Sequence, residues 1–156
     1  PVSIGGTTAF HLGNIMCALA GLLLGPWWGA LAAAMGSVIY DMLNPLYISE
    51  AWITFLTKGA YGLAVGLVIL SAKGNWGYLR AVIATITGAL TYACLYLSKG
   101  FFYDGLLMRK LDWEHAIWAV VDKLPATAFN AAIAIACAPL LAISIRTALK
   151  RNHLIS

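Results

Sequence analysis

The stretch Leu12–Leu43 reads LGNIMCALAGLLLGPWWGALAAAMGSVIYDML and carries a single charged residue, Asp41, near its far end. Drawn as one helix, its 32 residues would run about 48 Å, too long for a hydrocarbon layer of about 30 Å. Gly25-Pro26 sits near the middle, joining the residue that turns most freely to the one that cannot continue a helix. The reading is two antiparallel helices, Leu12–Leu24 and Trp27–Leu43, joined by a tight turn. The first is short, so it either starts earlier, near Thr8, or reaches only part-way across. Apolar residues on every side of both helices leave no face for water. Lipid is the solvent such a segment needs.

Working outward, the rest of the chain agrees. Of its 156 residues 62% are hydrophobic and 10% charged, whereas soluble domains carry about 25% charged residues. So few charges could not cover a soluble fold of this size. Ala51–Ala72, Gly77–Phe102 and Ala116–Leu149 each supply the roughly 20 apolar residues that a span requires. The last is longer than one span and is expected to tilt or project. Its Pro125 and Pro139 are tolerable where neighbours satisfy the freed carbonyls. The expectation is an all-α integral membrane protein, a bundle of about five transmembrane helices forming one domain over residues 1–156. Cys17, Cys94 and Cys137 stand apart in apolar runs, which reads as packing rather than a disulfide or zinc site. No metal or other cofactor is expected. The opening Pro1-Val-Ser-Ile-Gly-Gly lacks the basic start of a secretory signal. It also lacks an initiator Met, so a preceding segment is expected to be missing.

The charges separate by position. Lys73, Arg80, Arg146, Lys150 and Arg151 have no acidic neighbour, while Asp41, Glu50, Asp104, Asp112, Glu114 and Asp122 fall at the opposite ends of the helices. The positive-inside rule then places the turn at 73–80 and the C-terminus in the cytoplasm, with the loops 44–50 and 103–115 outside. Trp27, Trp28, Trp52, Trp76, Trp113 and Trp118 land near the predicted interfaces, as an aromatic belt requires. Gly25, Gly29, Ala33 and Ser37 form a small-residue ladder, and so do Ala128, Ala132 and Ala136. Such ladders allow close helix packing, or docking of another membrane subunit.

Candidate binding residues cluster in the outer half. Lys58 lies about two turns below the outer end of its helix, with Thr54 and Tyr61 on the same face. Tyr92, Tyr96, Lys99 and Tyr103 share a helical stripe. Trp118, Asp122 and Asn130 line another, with Lys123 beside it. A charge at mid-bilayer costs on the order of 3 kcal/mol, so Lys58 and Asp122 are expected to face a polar cavity or each other. The alternative for all four charges is snorkelling to the interface, and for the tyrosines ordinary packing. Aromatic walls with a few placed polar groups suit a small-molecule pocket. His11 and Asn14 belong to a polar helix entry at 7–14, and Asp41 and Asn44-Pro45 close the second helix. No H-E-x-x-H, G-x-S-x-G or P-loop is present, so no enzyme is expected. A small intramembrane enzyme or a stand-alone secondary carrier is the alternative.

The run from His11-Leu-Gly-Asn through Leu-Leu-Gly-Pro-Trp-Trp-Gly-Ala-Leu-Ala-Ala-Ala-Met-Gly-Ser37 to Asp41 resembles the substrate-binding S components of energy-coupling factor (ECF) transporters. The resemblance implies six helices, the first missing here, and a cell-membrane protein that binds a water-soluble vitamin near the external face. It implies delivery through a transmembrane coupling subunit driven by two cytosolic ATPases. Members assigned to pyridoxine or hydroxymethylpyrimidine are most similar, with pantothenate and folate as rivals. In the family the first helix carries an A-x-x-x-A motif that docks on the coupling subunit, and that motif is not placed here. Carried over, the pocket comprises the segment 7–14, the loops 44–50 and 103–115, and Lys58, Tyr92, Tyr96, Asp122 and Asn130.

Overall fold

A computed structural model describes residues 2–4, 8–10, 12–45, 47–72 and 76–152. Helix α1, Gly13–Met42, holds one non-helical residue, Gly25, at φ 76° and ψ −169°. A side chain there would strain against the following carbonyl, and glycine has none. Pro26 then opens the returning arm with a ready-set φ and no N–H to satisfy. The fold-back is measurable. Cys17 Sγ lies 3.7 Å from Ser37 Oγ, although twenty positions along a straight helix would separate them by about 30 Å. The expected pair of antiparallel helices is therefore present, as arms 13–24 and 26–42 of one hairpin.

After a 3-10 turn at Ile48–Glu50 come α2 (Ala51–Leu70) and α3 (Tyr78–Lys99), which runs on as a π-helical segment, Gly100–Met108. Then follow α4 (Trp113–Val121) and α5 (Leu124–Arg151). The single helix expected over Ala116–Leu149 is thus interrupted. Pro125, in the first turn of α5, has no N–H to donate to the Val121 carbonyl. The turn tightens instead, with Lys123 N–H donating to the Val120 carbonyl at 3.0 Å. Among the described residues one strand pair stands outside the helices: β1 (Val2–Ile4) pairs antiparallel with β2 (Thr8–Phe10), Val2 opposite Phe10 and Ile4 opposite Thr8. The β-branched residues on either side of Gly5-Gly6 carry that signal, which a reading tuned to spans passes over.

The hairpin α1 packs on α2 and α5, and α3 closes the bundle against the same two helices. Glycines set the spacing. A Cβ at Gly62 would stand 2.6 Å from the Gly29 carbonyl oxygen, and one at Gly66 would overlap Pro26. The ladder through Gly25, Gly29 and Ala33 is therefore spent inside the bundle. Ala128, Ala132 and Ala136 face outward, and the buried stripe of α5 is Ala134, Ala138 and Ala142 instead. Leu24, Trp27, Trp28, Leu67, Leu79, Leu90 and Leu140 are exposed, an apolar exterior that only lipid can solvate. Four described stretches, Gly13–Met42, Ile48–Leu70, Tyr78–Met108 and Trp113–Arg151, are long and apolar enough to cross a membrane. With α1 folded in two, this is the all-α membrane bundle that the sequence implies.

Candidate functional site

Residues drawn from the segments 12–17, 32–41, 47–58, 92–109 and 123–130 line one end of the bundle, where a cavity of about 1040 Å³ opens. Lys58 of α2 stands in its wall at 4% exposure. Its Nζ donates to Asn14 Oδ1 from the first turn of α1 and sits 3.8 Å from the centroid of the Tyr92 ring. An ammonium this deep needs such partners, because an isolated buried charge is expensive. Tyr61, Tyr92 and Tyr96 stack in sequence, with centroids 5.9 and 5.6 Å apart and planes inclined by 23° and 18°. Tyr92 and Tyr96 line the cavity, so its aromatic wall is pre-built. Asp41, nearly buried at the end of α1, is hydrogen-bonded by Thr54 of α2.

A chain of alternating charges crosses the rim. Lys99 Nζ donates to Glu50 Oε2 at 2.6 Å and lies 3.0 Å from Asp104 Oδ1, a charge contact rather than a directed hydrogen bond. Lys123 Nζ donates to Asp104 Oδ2 at 2.8 Å. Lys99 and Asp104 are five residues apart, a spacing that an α-helix would turn away from each other. The π-helical winding from Gly100, with its i to i+5 period, brings them together. Gly100 leaves room for Lys123, whose Nζ would lie 3.1 Å from any Cβ added there. At the opposite end Arg146 donates to the Trp76 carbonyl and Arg80 to the Val68 carbonyl, so these two arginines stand at the pole away from Glu50 and Asp104.

Residues 1–147 match the family described as "ECF-type riboflavin transporter, S component". The chain belongs to that family. An S component is the substrate-binding part of a vitamin transporter, and the resemblance carried by the 11–41 run is to that extent correct. An uncharacterised protein of Pyrococcus woesei, described as lying in a gap 3' region, is 32% identical over 95 residues. That match spans 61% of this chain and 61% of the relative. No solved structure matches.

In this S component Lys58, Asp41, Tyr92, Tyr96, Lys99 and Asn130 line the cavity together. Asn14 stands behind them as the partner of Lys58. His11 lies outside the described residues, as does Lys73. The expected meeting of Lys58 with Asp122 does not occur. The break before Pro125 turns Asp122 outward, where it is exposed, and turns Lys123 in, at 9% exposure. The stripe through Trp118, Asp122 and Asn130 is divided by the same break. Tyr103 leaves the tyrosine stack to meet Trp52 edge-on, centroids 6.0 Å apart. Glu50 and Asp104 fall within the loops 44–50 and 103–115 that the resemblance assigns to the pocket, while Thr127 lies outside the expected set. The signals for Asp104 and Thr127 are the i to i+5 acid after Lys99 and the hydroxyl four residues after Lys123, and both need the helix breaks to be known first.

Proposed function

We propose that this chain is a single substrate-binding domain that captures a flavin-sized, water-soluble vitamin at the acidic end of the bundle. The carrying observation is the cavity of about 1040 Å³ walled by Tyr92, Tyr96 and Lys58, just above the roughly 300–1000 Å³ range for small-molecule sites. A one-ring vitamin such as pyridoxine or hydroxymethylpyrimidine would leave most of that space unfilled. The family's description names riboflavin, whose flat three-ring body suits an aromatic wall. Asn14, Asp41, Lys58, Tyr92, Tyr96, Lys99 and Asn130, joined by Lys123 and Thr127, form the proposed site.

In this reading the cavity end faces outside the cell and the end with Arg80 and Arg146 the cytoplasm, by the positive-inside rule. The sequence has no nucleotide-binding loop, so energy comes from partners: a transmembrane coupling subunit and two cytosolic ATPases. The test is titration of the purified, detergent-solubilised chain with a vitamin panel, following riboflavin by its fluorescence, together with the mass of any small molecule that co-purifies. Riboflavin is expected to bind. Tighter binding of pyridoxine would reassign the vitamin, and a folded sample that binds no panel member would overturn the reading.

A further inference from the structure

We infer that the end of the bundle around Arg80 and Arg146 is a binding surface for anionic phospholipids, with Arg80 holding the headgroup phosphate. This surface lies at the opposite pole from the cavity, so its occupancy can be read with no vitamin present. Arg80, Arg146, Lys150 and Arg151 gather here because α3 begins and α5 ends at this pole. All six acidic residues of the chain, Asp41, Glu50, Asp104, Asp112, Glu114 and Asp122, belong to the cavity end.

The two poles treat their cations differently. At the cavity Lys99 and Lys123 are each paired with carboxylates. Arg80 is held by neutral groups instead. Its Nε and Nη2 both donate to the Val68 carbonyl at 3.2 Å, and Nη2 also donates to Ser71 Oγ. Val68 lies in the last turn of α2, where carbonyls lack a partner within the helix. The guanidinium therefore keeps its full charge, and its Nη1 donors have no acceptor among the described residues. Arg146 donates to the Trp76 carbonyl at 3.0 Å and lies 4.6 Å from the centroid of that ring, which fixes a second guanidinium near the start of α3. Lys150, one turn further along α5, and Arg151 are exposed. The first turn of α3 has no side-chain cap and no acidic residue, which adds the positive end of its dipole.

The surroundings of Arg80 decide the class of its partner. Leu70, Tyr78 and Leu79 are exposed, so the guanidinium sits where the apolar girth of the bundle ends. Lipid phosphates occupy that level, and the planar fork of arginine matches their oxygens. A phospholipid meets both parts of the surface, acyl chain on the leucines and phosphate on the guanidinium. Free phosphate would meet only the second, and a water-soluble acidic protein would leave the leucines uncovered. An anionic headgroup gains over a zwitterionic one from the surrounding basic residues, by about fivefold for each that stands near the membrane surface. In the topology proposed above this pole meets the inner leaflet, whose anionic lipids give it a negative surface potential.

The experiment titrates the purified chain in detergent with an equimolar mixture of phosphatidylglycerol and phosphatidylcholine carrying the same acyl chains, and counts the bound lipids by native mass spectrometry. Phosphatidylglycerol is expected to be favoured by about tenfold or more. Arg80→Gln should bring that ratio below about threefold. Lys150→Gln with Arg151→Gln, at exposed side chains, should also lower it, and carries the test if thermal unfolding shows that Arg80→Gln is not folded. Lys110→Gln, at the other pole, should leave the ratio unchanged. Equal retention of the two lipids by the wild type would overturn the inference and leave the basic pole to an acidic protein partner. A ratio that stays put in the folded Arg80 and Lys150/Arg151 variants, or falls as far in Lys110→Gln, would overturn it as well. So would displacement of phosphatidylglycerol by millimolar inorganic phosphate, which would reassign the surface to the free ion.

Discussion

Lys58 donates to a buried amide, and the exchange is a matched pair: each group leaves the other stranded if it is cut away. Lys58→Ala removes the donor from an Asn14 oxygen that is itself buried, a loss of about 1–3 kcal/mol. Asn14→Leu leaves an ammonium with little besides the Tyr92 face. Replacing both with apolar groups, Lys58→Met with Asn14→Leu, removes the mismatch and is expected to restore most of the melting temperature but not ligand affinity. Thermal unfolding and ligand titration of the three variants check this, and melting losses that simply add would dissolve the pair. Asp122→Asn should leave affinity within about twofold, roughly 0.4 kcal/mol, because its carboxylate faces outward. That Lys58 needs partners is legible in the sequence, since depth alone makes a free charge expensive. Which partners is not: Asn14 is neutral and 44 positions away, so no pattern of charge points to it.

Helix-scale features divide along the same line. The hairpin of α1 is legible because Gly25-Pro26 breaks any helix locally, whatever surrounds it. The π-helical turn of Gly100–Met108 is not, because Gly100 and Gly105 weaken a helix without saying which winding replaces it. Stripes drawn at 3.6 residues per turn therefore miss Asp104 and keep Tyr103. The break at 122–123 lay in view at Pro125, but proline is tolerated often enough in membrane helices that it does not by itself end one. Packing of the hairpin turn gives a direct test. Gly66→Ala would drive a methyl group into Pro26, whereas Gly36→Ala meets open space. Overpacking a tight contact costs about 1–3 kcal/mol, so the first variant should melt clearly below wild type and the second within about 0.5 kcal/mol of it. Equal melting of Gly66→Ala and wild type would mean that the turn of α1 is not seated on α2.

Across the whole molecule, charge is sorted along the bundle axis while the girth is apolar. Glu50, Asp104, Lys99 and Lys123 gather at the cavity, and Arg80 and Arg146 cap carbonyls at the far pole. Two forces with different origins agree on that axis: burial keeps charges out of the girth, and membrane insertion retains basic residues on the cytoplasmic side. The resulting topology is open to measurement. In a background with Cys17, Cys94 and Cys137 replaced, Lys110→Cys at the cavity rim should react with an impermeant thiol reagent added to whole cells. Asn152→Cys, just past the end of α5, should react only after the cells are opened. Lys110 is the one described non-glycine residue with positive φ, at 50°, and it follows Arg109 of the cavity wall. A bound vitamin should therefore slow its labelling and leave that of Asn152→Cys in opened cells unchanged. Labelling of Asn152→Cys from outside would invert the molecule in the membrane. It would place the cavity on the side where captured vitamin is released rather than collected, and no importer of this design could then work.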